Sequence, residues 1–250
     1  MMKRRNLLPS LIILLVSAVA ISTFDIATKV LNKNNEPDWK EVPVYTYLSP
    51  YAELSPYDNH FREAADSIGY DWTLIAAIAY TESRFDSTAV SQAGALGVMQ
   101  MMPETLRGFN IPDSLHNDNY TNIMTAAKLL KSLEKQFRQI KDPNERIKFI
   151  LASYNAGFGY IHDAMRLARK YGYDRHKWDE NVDSFLIRMS QPEYYTDTLC
   201  RNGQFNGWQE TLSFVRKVSR NWKRFSDTQR IYSDSIKAII TMDDTKRILQ

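Results

Sequence analysis

Residues 74–80 (Leu-Ile-Ala-Ala-Ile-Ala-Tyr) limit the fold of this chain more than any other segment, because each of their side chains is apolar or aromatic. No charged residue occurs from Thr73 to Thr81, and the next residue is the carboxylate Glu82. A helix that is apolar nearly all round has to be packed on all sides. The sequence therefore predicts a short central helix over residues 73–82, with Glu82 at its C-terminal end.

Helical spacing of apolar residues recurs along the rest of the chain and predicts a mainly α domain. Apolar residues at i, i+3, i+4 and i+7 define further segments near residues 61, 123, 147, 161 and 211. Asp142-Pro143 before one of these segments and Gly157 after it are residues typical of helix ends. No strand pattern with a period of two stands out, and we expect loops over residues 84–102, 106–120 and 171–207.

Four parts of the chain can be separated by composition. Residues 1–24 carry Lys3, Arg4 and Arg5 before an apolar run, which is typical of a signal peptide or of an uncleaved membrane anchor, and both interpretations stay open. Prolines and polar residues predict a linker over residues 25–57. The remaining parts are the helical domain, residues 58–225, and a C-terminal tail, residues 226–250, for which a peripheral helix is one option.

Composition excludes several classes of function. The formal net charge of the 250 residues is +3, and no basic run predicts binding to nucleic acid. Cys200 is the single cysteine, so no intramolecular disulfide and no cysteine metal cluster can form. The four histidines have no metal-ligand spacing. We therefore expect neither a metal nor another cofactor.

Glu82 is the residue that most resembles a catalytic acid. Burial penalises its charged form, and the negative end of the helix dipole does the same. A carboxyl group that keeps its proton near neutral pH can act as a general acid. Asp86 is the nearest second carboxylate, although a turn or cap role suits it better. One acid is sufficient where the acetamido group of an N-acetyl sugar acts as the nucleophile, as in substrate-assisted glycosidases.

Three short motifs resemble the signature of lytic murein transglycosylases with an SLT domain, whose fold is similar to goose-type lysozyme. These three motifs occur in the family's order. A fourth segment, given last in the list below, is similar to a further motif of the family. The resemblance covers residues 60–225, and the late segment is most similar to the membrane-bound transglycosylase F type. The motifs are Glu82-Ser83, Gly97-Val98-Met99-Gln100, Ser153-Tyr154-Asn155-Ala156-Gly157 and Glu210-Thr211-Leu212-Ser213-Phe214-Val215.

The resemblance implies a mainly α, lysozyme-like catalytic domain and a role for each matching residue. Glu82 would act as acid and then as base, and Ser83 and Asn155 would be structural. Phe214 stands where the family usually has a tyrosine, so one hydroxyl of the cleft would be missing. The residues implied to bind the sugar chain or line its cleft are Ser91, Gln100, Met102, Tyr154 and Glu210.

The implied activity is cleavage of the β-1,4 bond between N-acetylmuramic acid (MurNAc) and N-acetylglucosamine (GlcNAc), with 1,6-anhydro-MurNAc as the product end. The implied partner is the peptidoglycan glycan strand, in the periplasm or cell envelope, with membrane attachment through residues 7–24 as one option. A hydrolytic muramidase of the lysozyme type and a non-catalytic glycan-binding protein are the alternatives.

Overall fold

The structure is a computed structural model that describes residue 49 and residues 51–248, with side chains up to residue 241. The predicted signal peptide or anchor, residues 1–24, and most of the predicted linker lie outside the described residues. Among the described residues, none of the helices combines the length and the hydropathy that a membrane span requires.

Helices account for most of the described chain, and the mainly α prediction is confirmed. Among the described residues the extended pairing is limited to isolated antiparallel bridges, Val90 with Leu96 and Leu96 with Met101. The helices are α1 (Asp58–Ile68), α2 (Trp72–Ser83), α3 (Pro103–Gly108), α4 (Asn119–Gln136), α5 (Pro143–Ala156), α6 (Phe158–Lys170), α7 (Asp183–Arg188), α8 (Pro192–Tyr195) and α9 (Trp208–Ile248).

Helix α2 lies at the centre of the core, as its sequence predicts. All of its residues from Thr73 to Ala79 are buried. The Asp71 side chain caps its start by accepting a hydrogen bond from the Thr73 N–H, and Arg84 ends it in the left-handed conformation with φ of 56°. Helix α1 packs against α2 and α4, α4 against α5, and α5 against α6. Glu82 is therefore carried on a helix whose position is fixed by surrounding helices.

Two of the predicted loops contain helices, so these predictions were wrong in part. The segment 171–207 contains α7, α8 and an irregular helical turn at Trp178–Val182. The segment 106–120 contains the end of α3, a 3₁₀ turn at Asp113–Leu115 and the first residues of α4. These helices are so short that they show less than two turns of the apolar repeat, which is why periodicity misses them.

The chain forms two compact units. Glu53–Asp227 is the larger unit and contains the site residues discussed below. In the other unit, the side-chain amide of Gln229 accepts from the Ala52 N–H at 3.1 Å and donates to the Ala52 carbonyl at 2.7 Å. Helix α9 continues through the segment predicted as a tail, as far as Ile248.

Candidate active site

Glu82 lies in the last turn of α2 and is half-buried. Desolvation by burial, followed by the negative charge of Glu210, raises the pKa of its carboxyl from 4.5 to about 8. Among the described residues no salt bridge links a Lys, Arg or His side chain to this carboxyl. No paired positive charge therefore counteracts the rise in its pKa. Glu82 therefore holds a proton at neutral pH and can donate it to a bound molecule.

Glu210 approaches Glu82 from the first turn of α9 and is exposed. Its neighbour Thr211 is buried and donates a hydrogen bond to the Asn155 side-chain oxygen at 2.7 Å. Asn155 lies at the end of α5, so this bond joins the start of α9 to the end of α5. Two carboxylates thus face one site from different helices.

Tyr154 approaches Glu82 from α5. Its hydroxyl donates to the Met99 carbonyl at 2.8 Å, with the Met101 sulfur at 3.4 Å as a weaker acceptor. Burial first and the charge of Glu82 second raise the pKa of Tyr154. Phe214 is buried and stacks on the Tyr154 ring, with centroids 6.1 Å apart and planes at 4°. Phe214 therefore supports Tyr154 by ring packing.

Residues 96–101 form a tight segment beside Glu82, called the site turn here. Ser83 donates to the Val98 carbonyl at 2.8 Å, so the residue after Glu82 is tied to this turn. Gly97 has φ of +72°, a conformation in which glycine carries no steric penalty. Met99 is fully buried and forms part of the core.

Gln100 stabilises the same turn. Its side-chain amide nitrogen donates to the Ala89 and Gly97 carbonyls, each at 3.0 Å. Both amide protons are thereby used inside the loop, and the side-chain oxygen is the group left to accept from a ligand. Ser91 also acts within the loop, since its hydroxyl oxygen accepts from the Ala95 N–H at 2.9 Å. Met102 is half-buried and precedes the first residue of α3.

Comparison with known proteins identifies the family of the central part of the chain. Residues 59–177 match the family model described as transglycosylase SLT domain. This part of the chain belongs to the SLT family. The match includes Glu82, the site turn and Tyr154, whereas Glu210 follows it in sequence.

Curated relatives extend the similarity, and those cited here are named membrane-bound lytic murein transglycosylase F. The relative from Desulfosudis oleivorans is 36% identical over 168 residues, covering 67% of this chain and 36% of the relative. The one from Alkalilimnicola ehrlichii is 37% identical over 166 residues, covering 66% and 32%. The one from Stutzerimonas stutzeri is 32% identical over 197 residues, covering 76% and 39%. The chain thus spans about a third of the length of these relatives.

Solved structures of lytic transglycosylases also resemble the domain. The lytic transglycosylase Slt from Pseudomonas aeruginosa is 22% identical, with a TM-score of 0.46 over 70% of this chain and 25% of that chain. The soluble lytic transglycosylase from Escherichia coli is also 22% identical, with a TM-score of 0.43 over 69% and 25%.

The fold brings some of the predicted site residues together and leaves others apart. The charge of Glu210 raises the pKa of Glu82, and the charge of Glu82 raises the pKa of Tyr154. Asp86 is exposed and accepts from the Thr88 N–H and hydroxyl, and these hydrogen bonds lower the pKa of its carboxyl. It is therefore a turn residue, and Glu210 is the second carboxylate near Glu82. Among the described residues, no group of acidic, histidine or cysteine side chains is arranged to hold a metal ion.

Asn122 of the SLT domain was missed by the sequence interpretation. It is 1% exposed, lies in α4, and its side chain bonds the Met99 N–H and the Leu96 carbonyl. The sequence did contain a signal for Asn122. It precedes Ala126 and Leu130 at a spacing of four, so all three lie on the buried face of α4. A polar side chain on a buried helix face needs a hydrogen-bonding partner from elsewhere in the fold.

Proposed function

We propose that this protein is a peptidoglycan lytic transglycosylase with Glu82 as its catalytic residue. The observation that carries the proposal is the carboxyl of Glu82, half-buried at the end of the central helix and with its pKa raised to about 8. The names of the relatives support the reaction class. The substrate is the glycan strand, cut at the β-1,4 bond between MurNAc and GlcNAc.

In the first step Glu82 acts as a general acid. Its proton passes to the glycosidic oxygen, the bond from that oxygen to C1 of MurNAc breaks, and GlcNAc leaves with a free 4-hydroxyl. Protonation of the leaving oxygen is what makes the sugar a good leaving group. The neutral carboxyl needed for this step is present because burial and Glu210 both disfavour its charged form.

In the second step the Glu82 carboxylate acts as a base. It takes the proton of the MurNAc C6 hydroxyl, whose oxygen forms the new bond to C1 and gives the 1,6-anhydro end. No water is consumed, and Glu82 finishes protonated as it began. The acetamido carbonyl of MurNAc provides transient stabilisation of C1 between the steps.

The neighbouring residues hold the sugar chain and shape the cleft. Glu210 is exposed and accepts hydrogen bonds from sugar hydroxyls, and the free side-chain oxygen of Gln100 does the same. Ser91, Met102 and Tyr154 line the cleft. Ser83 and Asn155 act structurally, through their bonds to the site turn and to α9.

A second candidate is a hydrolytic muramidase of the lysozyme type. The observation in its favour is Glu210, a carboxylate close enough to raise the pKa of Glu82. Hydrolytic glycosidases commonly use such a pair, one as the acid and the other to activate water or attack C1. We favour the lytic reaction because each relative cited above is named for it.

We also propose an exported protein of the periplasm or cell envelope, with residues 7–24 as its membrane anchor or signal peptide. The support is the cationic start followed by an apolar run. The relatives named membrane-bound agree with an envelope location. The reaction written above needs neither a metal nor another cofactor.

The decisive experiment is digestion of purified sacculi by the full chain and by Glu82→Gln, with mass spectrometry of the soluble products. We expect fragments with anhydro ends, each one water lighter than the reducing-end product, from the wild type and none from the variant. The matched control is Glu193→Gln, which removes an exposed carboxylate on α8 and should leave the products unchanged.

Other outcomes identify the alternatives. Reducing ends that depend on both Glu82 and Glu210 would mean hydrolysis. Binding to sacculi with no bond cleavage by the wild type would mean a glycan-binding protein. Full activity of Glu82→Gln would overturn the assignment of the acid.

A further inference from the structure

The site turn is held by side chains from three separate helices, and Asn122 is the one that bonds both Met99 and Leu96. Ser83 of α2 bonds the Val98 carbonyl, and Tyr154 of α5 bonds the Met99 carbonyl. Asn122 of α4 accepts from the Met99 N–H at 2.9 Å and donates to the Leu96 carbonyl at 3.0 Å. The same side chain lies 3.3 Å from the place where a Cβ on Gly97 would be. Asn122 therefore contributes to the position of the turn, and in particular holds the Met99 N–H.

Met99 connects Asn122 to the catalytic acid. Its N–H is bound by Asn122 and its carbonyl receives the hydroxyl proton of Tyr154. A tyrosine hydroxyl has a single proton to donate. While that proton lies on the Met99 carbonyl, Tyr154 cannot donate it to the nearby carboxylate of Glu82.

We propose, on the basis of the function above, that Asn122 is a positioning residue for Glu82. By fixing the Met99 backbone, Asn122 keeps the Tyr154 hydroxyl proton on the Met99 carbonyl and withholds it from the Glu82 carboxylate. A hydrogen bond to a carboxylate stabilises its charged form and would weaken Glu82 as an acid. Asn122 thereby preserves the protonated form of Glu82 without touching the substrate.

Among the described residues, the groups that can affect the Glu82 carboxyl are Glu210, Tyr154 and Arg84. Of these, Tyr154 is the one connected to Asn122, through Met99. Glu210 of α9 raises the pKa of Glu82, and Tyr154 is the titratable group facing it from α5. On α2 itself no charged residue precedes Glu82. Arg84 follows it, is exposed and forms no salt bridge among the described residues. In Asn122→Ala the Met99 N–H and the Leu96 carbonyl lose their side-chain partner. We expect the Met99 carbonyl to shift as a result and the Tyr154 hydroxyl to become free to donate to Glu82.

The experiment compares wild type, Asn122→Ala, Tyr154→Phe and the double variant. Muropeptide release is measured against pH, and the Glu82 carboxyl is titrated by NMR in protein with ¹³C-labelled glutamate, with Glu82→Gln identifying the signal. We expect Asn122→Ala to lower the Glu82 pKa, and the alkaline limb of activity, by about one unit. In the Tyr154→Phe background the same substitution should cause no shift, because the hydroxyl is missing.

The matched control is Asn221→Ala. Asn221 is a half-buried asparagine of α9 that donates to the Thr81 hydroxyl of α2 at 3.1 Å, with no bond to the site turn. Its removal also deletes one side-chain bond close to Glu82, and the Glu82 titration should stay at the wild-type position. If Asn122→Ala does not fold, Asn122→Leu replaces it, because leucine has a similar branched shape and no group that can bond the Met99 N–H or the Leu96 carbonyl, and it should shift the titration in the same direction.

The results separate this inference from the proposed function. An unchanged Glu82 titration in folded Asn122→Ala, or an equal shift in the Tyr154→Phe background, would overturn the inference. A wild type that releases no muropeptides would overturn the function, and the NMR titration would still decide whether Asn122 acts on Glu82.

Discussion

Replacing Glu82 with glutamine should stabilise the folded protein at neutral and alkaline pH. The carboxyl of Glu82 has a pKa of about 8 in the folded chain against the ordinary value of 4.5. Because the folded pKa is the higher one, the folded carboxyl keeps its proton while the unfolded chain releases it. The contribution of Glu82 to the free energy of unfolding is therefore fully present below pH 4.5 and is lost progressively as the pH rises to about 8. A glutamine amide is neutral throughout and shows no such loss.

The size of the effect follows from the two pKa values. A rise from 4.5 to about 8 corresponds to roughly 5 kcal/mol at high pH. Glu82 is half-buried, so water screens part of this energy, and we expect about 2–3 kcal/mol. The variant would then be inactive and more stable, as is typical where an active site stores unfavourable interactions.

Urea unfolding of wild type and Glu82→Gln between pH 4 and pH 9 provides the test. The free energy of unfolding of the variant, relative to wild type, should increase with pH and level off above pH 8. The exposed Glu193→Gln should show no such slope. A difference that stays constant with pH, or that is largest at pH 4, would refute the reasoning about burial.

Two further substitutions test buried hydrogen bonds of the larger unit. Asp163→Ala should lower the free energy of unfolding by about 3 kcal/mol in thermal or urea unfolding. It removes a fully buried carboxylate that pairs with Arg166 and accepts from the Arg201 and Asn202 N–H groups at 3.0 and 2.8 Å. Thr211→Val should cost about 1 kcal/mol because it breaks the 2.7 Å bond to Asn155. Urea unfolding measures the loss, and an unchanged midpoint would show that α9 does not depend on this bond.

Most of the long helices were predictable because each carries several turns of the apolar repeat, whereas α9 was predicted only as far as residue 225. Helix α2 was predicted over residues 73–82 and extends over Trp72–Ser83. Helix α5 begins at Pro143 and ends before Gly157, as those residues indicate. Helices α7 and α8 were not predicted, because a short helix has too little of the repeat to be distinguished from a loop.

The sequence predicted which residues belong to the site, but it did not predict how their side chains are hydrogen-bonded to one another. The motifs identify Glu82, Gln100, Tyr154 and Glu210, but hydrogen bonds across the fold have no fixed spacing in sequence. The structure shows that the Gln100 amide is used within its own loop. It also shows that Asn122, on a different helix, holds the turn beside the acid.

The sequence alone determined that the chain has a central apolar helix ending in one carboxylate, because helix periodicity and the absence of charge are local properties. Only the tertiary structure decided how strongly that carboxylate holds its proton. Burial depends on what packs around Glu82, and the second contribution comes from Glu210, which is distant in sequence and brought close by the packing of α9. Both are properties of the assembled fold, so the acid strength of Glu82 is set by tertiary structure.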